Sequence, residues 1–159
     1  MVSGDCNLSA TYEYGPRGTM PAVKLIWHQG SDKPEIWANG GIPKWDNGVL
    51  FIGTKGMILS DYSKHIVLPE KDFVGFQRPA PNIPRVKNHH QEWLDACREG
   101  KRCSADFEYS GWLTEANHLG NVAYRTGKKL IWDHKKLVAK NAPEASKFIH
   151  REYRKGWVL

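Results

Sequence analysis

A chain of 159 residues with 40% hydrophobic and 25% charged side chains has the composition of a globular protein, not of a disordered or fibrous one. Its formal charge of +6 raises nucleic acid as a partner. The basic residues, however, fall in short clusters such as Lys128-Lys129, Lys135-Lys136 and Arg151 to Lys155, without the stripe and motif of a phosphate-tracking groove, so nucleic acid stays a minor option, the weakest of the alternatives.

No run nears the roughly 20 apolar residues that span a bilayer, and the first fifteen residues lack the charged and apolar segments of a secretory signal. One folded domain over residues 1–159, in the cytoplasm and without membrane contact, is the expectation. Three irregularly spaced cysteines, Cys6, Cys97 and Cys103, fit a reducing compartment, with a single Cys97-Cys103 bridge as the alternative.

Up to about residue 87 the chain is rich in Gly and Pro and carries short β-branched and aromatic runs. Strands are predicted at 8–14, 22–28, 48–53, 56–60 and 65–69. In the second, Val23, Leu25 and Trp27 alternate with Lys24, Ile26 and His28, so they face opposite ways. Gly53-Thr54-Lys55-Gly56 between two apolar runs signals a hairpin. An antiparallel sheet follows.

Beyond residue 87 the period becomes helical. Asn88 with Gln91 forms a capping box, and Gly100 stands where a left-handed glycine ends a helix. On that helix His90, Trp93, Leu94 and Cys97 share one face, which makes His90 a core or interface residue. His89 is turned about 100° away, and no H-E-x-x-H or C-x-x-C pair is present, so no metal is expected. A second helix is predicted over 112–125, ending at Gly127, with Ala116, Gly120 and Ala123 on one stripe. Next come a short strand at 130–133 and a last helix opened by Asn141 and Pro143, with Phe148, Ile149 and Tyr153 inward.

No glycine-rich phosphate loop, nucleophile elbow or catalytic carboxylate pair is present. What stands out is aromatic content: seven Trp and six Tyr. Trp27, Trp37 and Trp45 lie in or beside loops, and Trp37 and Trp45 are the candidates for stacking on a ligand such as a sugar ring.

The run HHQEWLDACREGKRCSADFEYSGWLTEANHLGNVAYRTGKKLIWD, followed by PEASKFIHREYRKGW, resembles the C-terminal end of the Gfo/Idh/MocA family of oxidoreductases, in the branch common in planctomycetes and Bacteroidetes. MPAVKLIWHQG and GVLFIGTKGMIL are similar to that branch's strand and hairpin, so the likeness covers residue 8 to the end.

The resemblance implies an α+β fold, an open, mainly antiparallel sheet with helices packed on one face, like the C-terminal domain of dihydrodipicolinate reductase. It implies a substrate and oligomerisation domain without the family's Rossmann domain. The E-K-P lysine and the histidine-bearing substrate motif of the family map onto no residue here. No catalytic, cofactor or metal residue is therefore carried over; NAD or NADP belongs to a full-length parent, whose export signal, if any, would lie outside this chain. A homo-oligomer through the open sheet face is implied, with Ile26, Trp27, Phe51 and Ile52 as the interface candidates. The alternative is a free-standing carbohydrate- or protein-binding module.

Overall fold

Alternation of side chains shapes the first ladder. β1 (Leu8–Tyr14) and β2 (Val23–Gln29) pair antiparallel, with Tyr12 opposite Leu25 and Ala10 opposite Trp27. Partners directly opposite share a face, so Ala10, Tyr12, Val23, Leu25 and Trp27 lie together. Ser9, Thr11, Lys24 and His28 form the other side. The computed structural model describes residues 7–157; Cys6 lies outside them. Contacts divide the chain into two compact units, Met1–Pro84 and Arg85–Leu159.

In the first unit a one-turn helix, α1 (Glu35–Ala38), precedes three strands: β3 (Val49–Gly53), β4 (Gly56–Ser60) and β5 (His65–Leu68). They form one antiparallel sheet in sequence order, and Gly53 faces Gly56 across the predicted hairpin. Gly56 has φ 148, and a Cβ there would lie 2.9 Å from the Leu68 carbonyl oxygen and 2.6 Å from the Phe73 ring. The turn between β4 and β5 is closed by Asp61, whose Oδ1 accepts the N–H of Ser63 at 2.7 Å and of Lys64 at 2.8 Å.

One face of this sheet holds the core of the unit: Ile42, Leu59 and Leu68 are buried, with Ile36, Trp37, Trp45, Leu50, Met57 and Ile66 against them. The other face presents Phe51, Ile58 and Val67 in one cross-strand row.

The second unit is built on two capped helices. α2 (His89–Glu99) begins at Asn88, whose side chain accepts the Gln91 N–H, and ends at Gly100 in the left-handed conformation. The Gln91 side chain turns to Asp95, so only half of the predicted capping box forms. α3 (Phe107–Thr126) starts five residues earlier than expected because Asp106 caps the N–H of Tyr109. Arg102 binds both Asp106 and Glu108, and Glu92 accepts the backbone N–H and the hydroxyl of Ser104, which ties α2 to the connection.

After Gly127 a small hairpin forms from β6 (Trp132–Asp133) and β7 (Val138–Ala139), and a 3₁₀ turn at Pro143–Ala145 leads into α4 (Ser146–Ile149). Asn141 mimics a ladder residue: its side chain accepts the Ile131 N–H at 2.7 Å and donates to the Lys129 carbonyl at 2.8 Å. Val122, Ala139, Ala142 and Ala145 are buried here, with Leu130, Trp132, Phe148 and Ile149 beside them.

The class is α+β with antiparallel strands. The described strands form three separate ladders where one open sheet was expected. The last helix is shorter than expected, and Tyr153 lies beyond it, exposed instead of inward. No helix among the described residues is long and apolar enough to cross a membrane.

Candidate functional site

Trp37 and Trp45 come together. The Trp37 indole N–H donates to the Trp45 carbonyl at 3.2 Å, and both rings are half-buried against the core of the first unit. Their faces attract cations: Lys44 Nζ lies 5.2 Å and Lys33 Nζ 6.0 Å from the Trp37 centroid, and Lys64 Nζ 4.3 Å from that of Trp45. A sugar stacking on those ring faces has to displace an ammonium worth about 0.5–1 kcal/mol at an exposed site.

Sequence spacing gave no sign of a second cluster. Ser9 and His28 are cross-strand partners, and Asp32 folds back from the following turn. The Ser9 hydroxyl donates to Asp32 Oδ2, and His28 Nδ1 lies 3.2 Å from both the Ser9 oxygen and that same Oδ2. The Ser9 hydroxyl first, and His28 second, hold the Asp32 carboxyl below its ordinary range.

The composition is that of a hydrolytic triad; the geometry is not. A triad carboxylate orients one imidazole nitrogen while the other takes the serine proton, whereas here serine and carboxylate converge on the same nitrogen. With Asn7, which accepts the N–H and hydroxyl of Ser31, the cluster is a clasp on the end of the β1–β2 ribbon.

The four interface candidates separate by face. Trp27 is 51% exposed on the apolar side of the ribbon, and Phe51 is 59% exposed on the uncovered side of the second sheet. Ile26 lies on the polar side of the ribbon, opposite Thr11. Ile52 pairs with Met57 on the core side, yet is 71% exposed at the hairpin end. Trp27 and Phe51 are thus the two whose faces are both apolar and open.

On α2 the structure corrects the core half of the reading of His90 as a core or interface residue. It is exposed, as are Trp93, Leu94 and Cys97 on the same stripe. The reason is that no element among the described residues of the second unit buries this face, so helical periodicity marked an apolar stripe without marking its burial. His89 and His90 meet with ring centroids 4.0 Å apart. Among the described residues no three His, Cys, Asp or Glu side chains converge as for a metal ion. Cys97 and Cys103 are free thiols, which decides against the bridge.

The second unit also holds an open cleft of about 950 Å³ between α3 and the hairpin with α4. Leu119, Val122, Trp132, Leu137 and Phe148 give it an apolar wall. Glu115 stands at one end, its carboxylate accepting the Trp132 indole N–H, and Arg125 at the other. Leu137 has φ 51, a left-handed backbone that branched side chains adopt only at a cost.

Comparison with family models, curated proteins and solved structures returns no match to this chain.

Proposed function

We propose that the chain is the C-terminal substrate-binding and oligomerisation domain of a Gfo/Idh/MocA-type oxidoreductase, dependent on NAD or NADP, acting on a sugar, polyol or related hydroxy compound. In such an enzyme the nicotinamide carries the hydride while protein groups position the substrate. Alone, the chain is catalytically incomplete. The reading rests on the motifs from HHQEWLDACREG to REYRKGW.

The observation that carries it is unsatisfied apolar surface. Among the described residues twenty-seven large apolar or aromatic side chains are exposed against seven buried hydrophobic residues, three of them alanine. Strands and helices with such open faces suit part of a larger fold, in which the separate ladders would join the one open sheet of the family with helices on one face. A second copy meeting the Phe51 side of the β3–β4–β5 sheet is the oligomer of this reading.

The test is the genomic sequence upstream of the Met1 codon. An in-frame glycine-rich strand–turn–helix and an E-K-P segment are expected. A stop codon followed by a ribosome-binding site overturns the proposal.

A second reading, a carbohydrate- or protein-binding module, is favoured by the juxtaposition of Trp37 and Trp45. It requires saturable ligand binding by this chain that is lost in Trp37→Ala or Trp45→Ala.

A further inference from the structure

We infer that the cleft of the second unit takes a small amphiphilic anion, with its acidic head at Arg125 and Lys147 and its apolar body lying along α3. This inference is independent of the oxidoreductase reading.

Two cations share one phenyl ring. The Arg125 guanidinium carbon lies 4.3 Å and Lys147 Nζ 4.9 Å from the Phe148 centroid. The quadrupole of the ring attracts both. Neither forms an ion pair among the described residues. The carboxylate that senses Lys147 is Glu144, and it is already bound by Lys128. An oxyanion beside Phe148 finds two cations without a carboxylate partner, and a guanidinium laid against a ring can still offer its N–H edge for a charge-assisted hydrogen bond.

Arg125 and Phe148 both line the cleft, and Lys147 lies against the same ring. From there α3 presents Arg125, Val122, Leu119 and Glu115 at intervals of three and four residues, a single stripe about 15 Å long. The middle of that stripe is apolar. Leu137 faces the same space from the hairpin, and its strained backbone places an aliphatic wall where glycine would relieve the strain.

Glu115 sets the direction. Its carboxylate, fixed by the Trp132 indole N–H, repels an anion at the far end, so the head goes to Arg125 and the body toward Trp132. The volume of about 950 Å³ falls at the upper end of the roughly 300–1,000 Å³ typical of small-ligand sites.

The experiment is calorimetric titration of the full chain with octanoate, with octylammonium, which inverts the head charge, and with acetate, which lacks the body. Octanoate should saturate one site, and the other two should bind at least ten-fold more weakly. Arg125→Gln with Lys147→Gln, both exposed, should weaken octanoate ten-fold or more with the circular dichroism unchanged. Amide shift changes should fall on α3, α4 and the β6–β7 hairpin. Equal binding of octanoate and octylammonium, no saturable octanoate binding, indifference to the double variant, or shifts confined to the Phe51 and Ile58 face would each overturn the proposal.

Discussion

Asp32 and Asp61 accept their hydrogen bonds best when ionised. The Ser9 hydroxyl, then His28, lowers the first; the Ser63 N–H, then that of Lys64, lowers the second. Asp133 is lowered in the same direction, chiefly by Lys140. A carboxyl whose folded pKa lies below its unfolded value contributes stability that is full above the unfolded pKa and fades as pH falls through the folded one. Stability from these groups should therefore be flat from about pH 5 to 7 and decline below about pH 4. Amide exchange at Ser63 and Lys64, followed from pH 6 to 3, checks this, and Asp61→Asn should flatten the acid limb. Leu137→Gly should raise stability by up to about 1 kcal/mol, since the relief of a left-handed leucine outweighs the added chain entropy of glycine. Chemical denaturation measures that gain.

Elements were more legible in the sequence than their surroundings. Asn88 and Gly100 bracket α2 as the capping pattern requires, and Asn88→Ala should cost about 1 kcal/mol in denaturant unfolding, with Asn88→Asp close to neutral. Gly56→Ala should cost roughly 1–3 kcal/mol, because the new methyl meets the immovable Leu68 carbonyl. Strands and the Gly53-Gly56 hairpin follow from alternation and turn chemistry, which are local. The partner strand Val138–Ala139 was missed because two residues carry no period. The start of α3 was missed because Phe107, Tyr109 and Trp112 mask the cap at Asp106. The Ser9, His28 and Asp32 clasp and the cation pair on Phe148 depend on cross-strand register and on contacts between distant segments, which no spacing reveals. The stripe on α2 was legible; whether anything covers it was not.

Surface area shows how much cover the protein as a whole lacks. Two folded units of half this mass, entirely apart, would expose about 9,700 Å² by the size scaling of globular proteins; this chain exposes 14214 Å². Charge divides unevenly as well: Met1–Pro84 balances eight basic with eight acidic residues, while Arg85–Leu159 has fifteen against nine and so carries all of the +6. Light scattering at tens of micromolar should show association, weakened by Phe51→Glu more than by Ile52→Glu, since only Phe51 lies on the uncovered side. A monomer under those conditions overturns the sheet-face pairing.

The strand edges add a further consequence. Among the described residues β2, β3 and β5 each pair on one side only. Two copies meeting face to face across a two-fold axis satisfy each other and stop at two. Copies joining edge to edge leave a fresh edge at each end, a template that never terminates. Average mass that levels off with concentration would therefore mark the closed pair, and mass that keeps climbing would mark a growing ribbon.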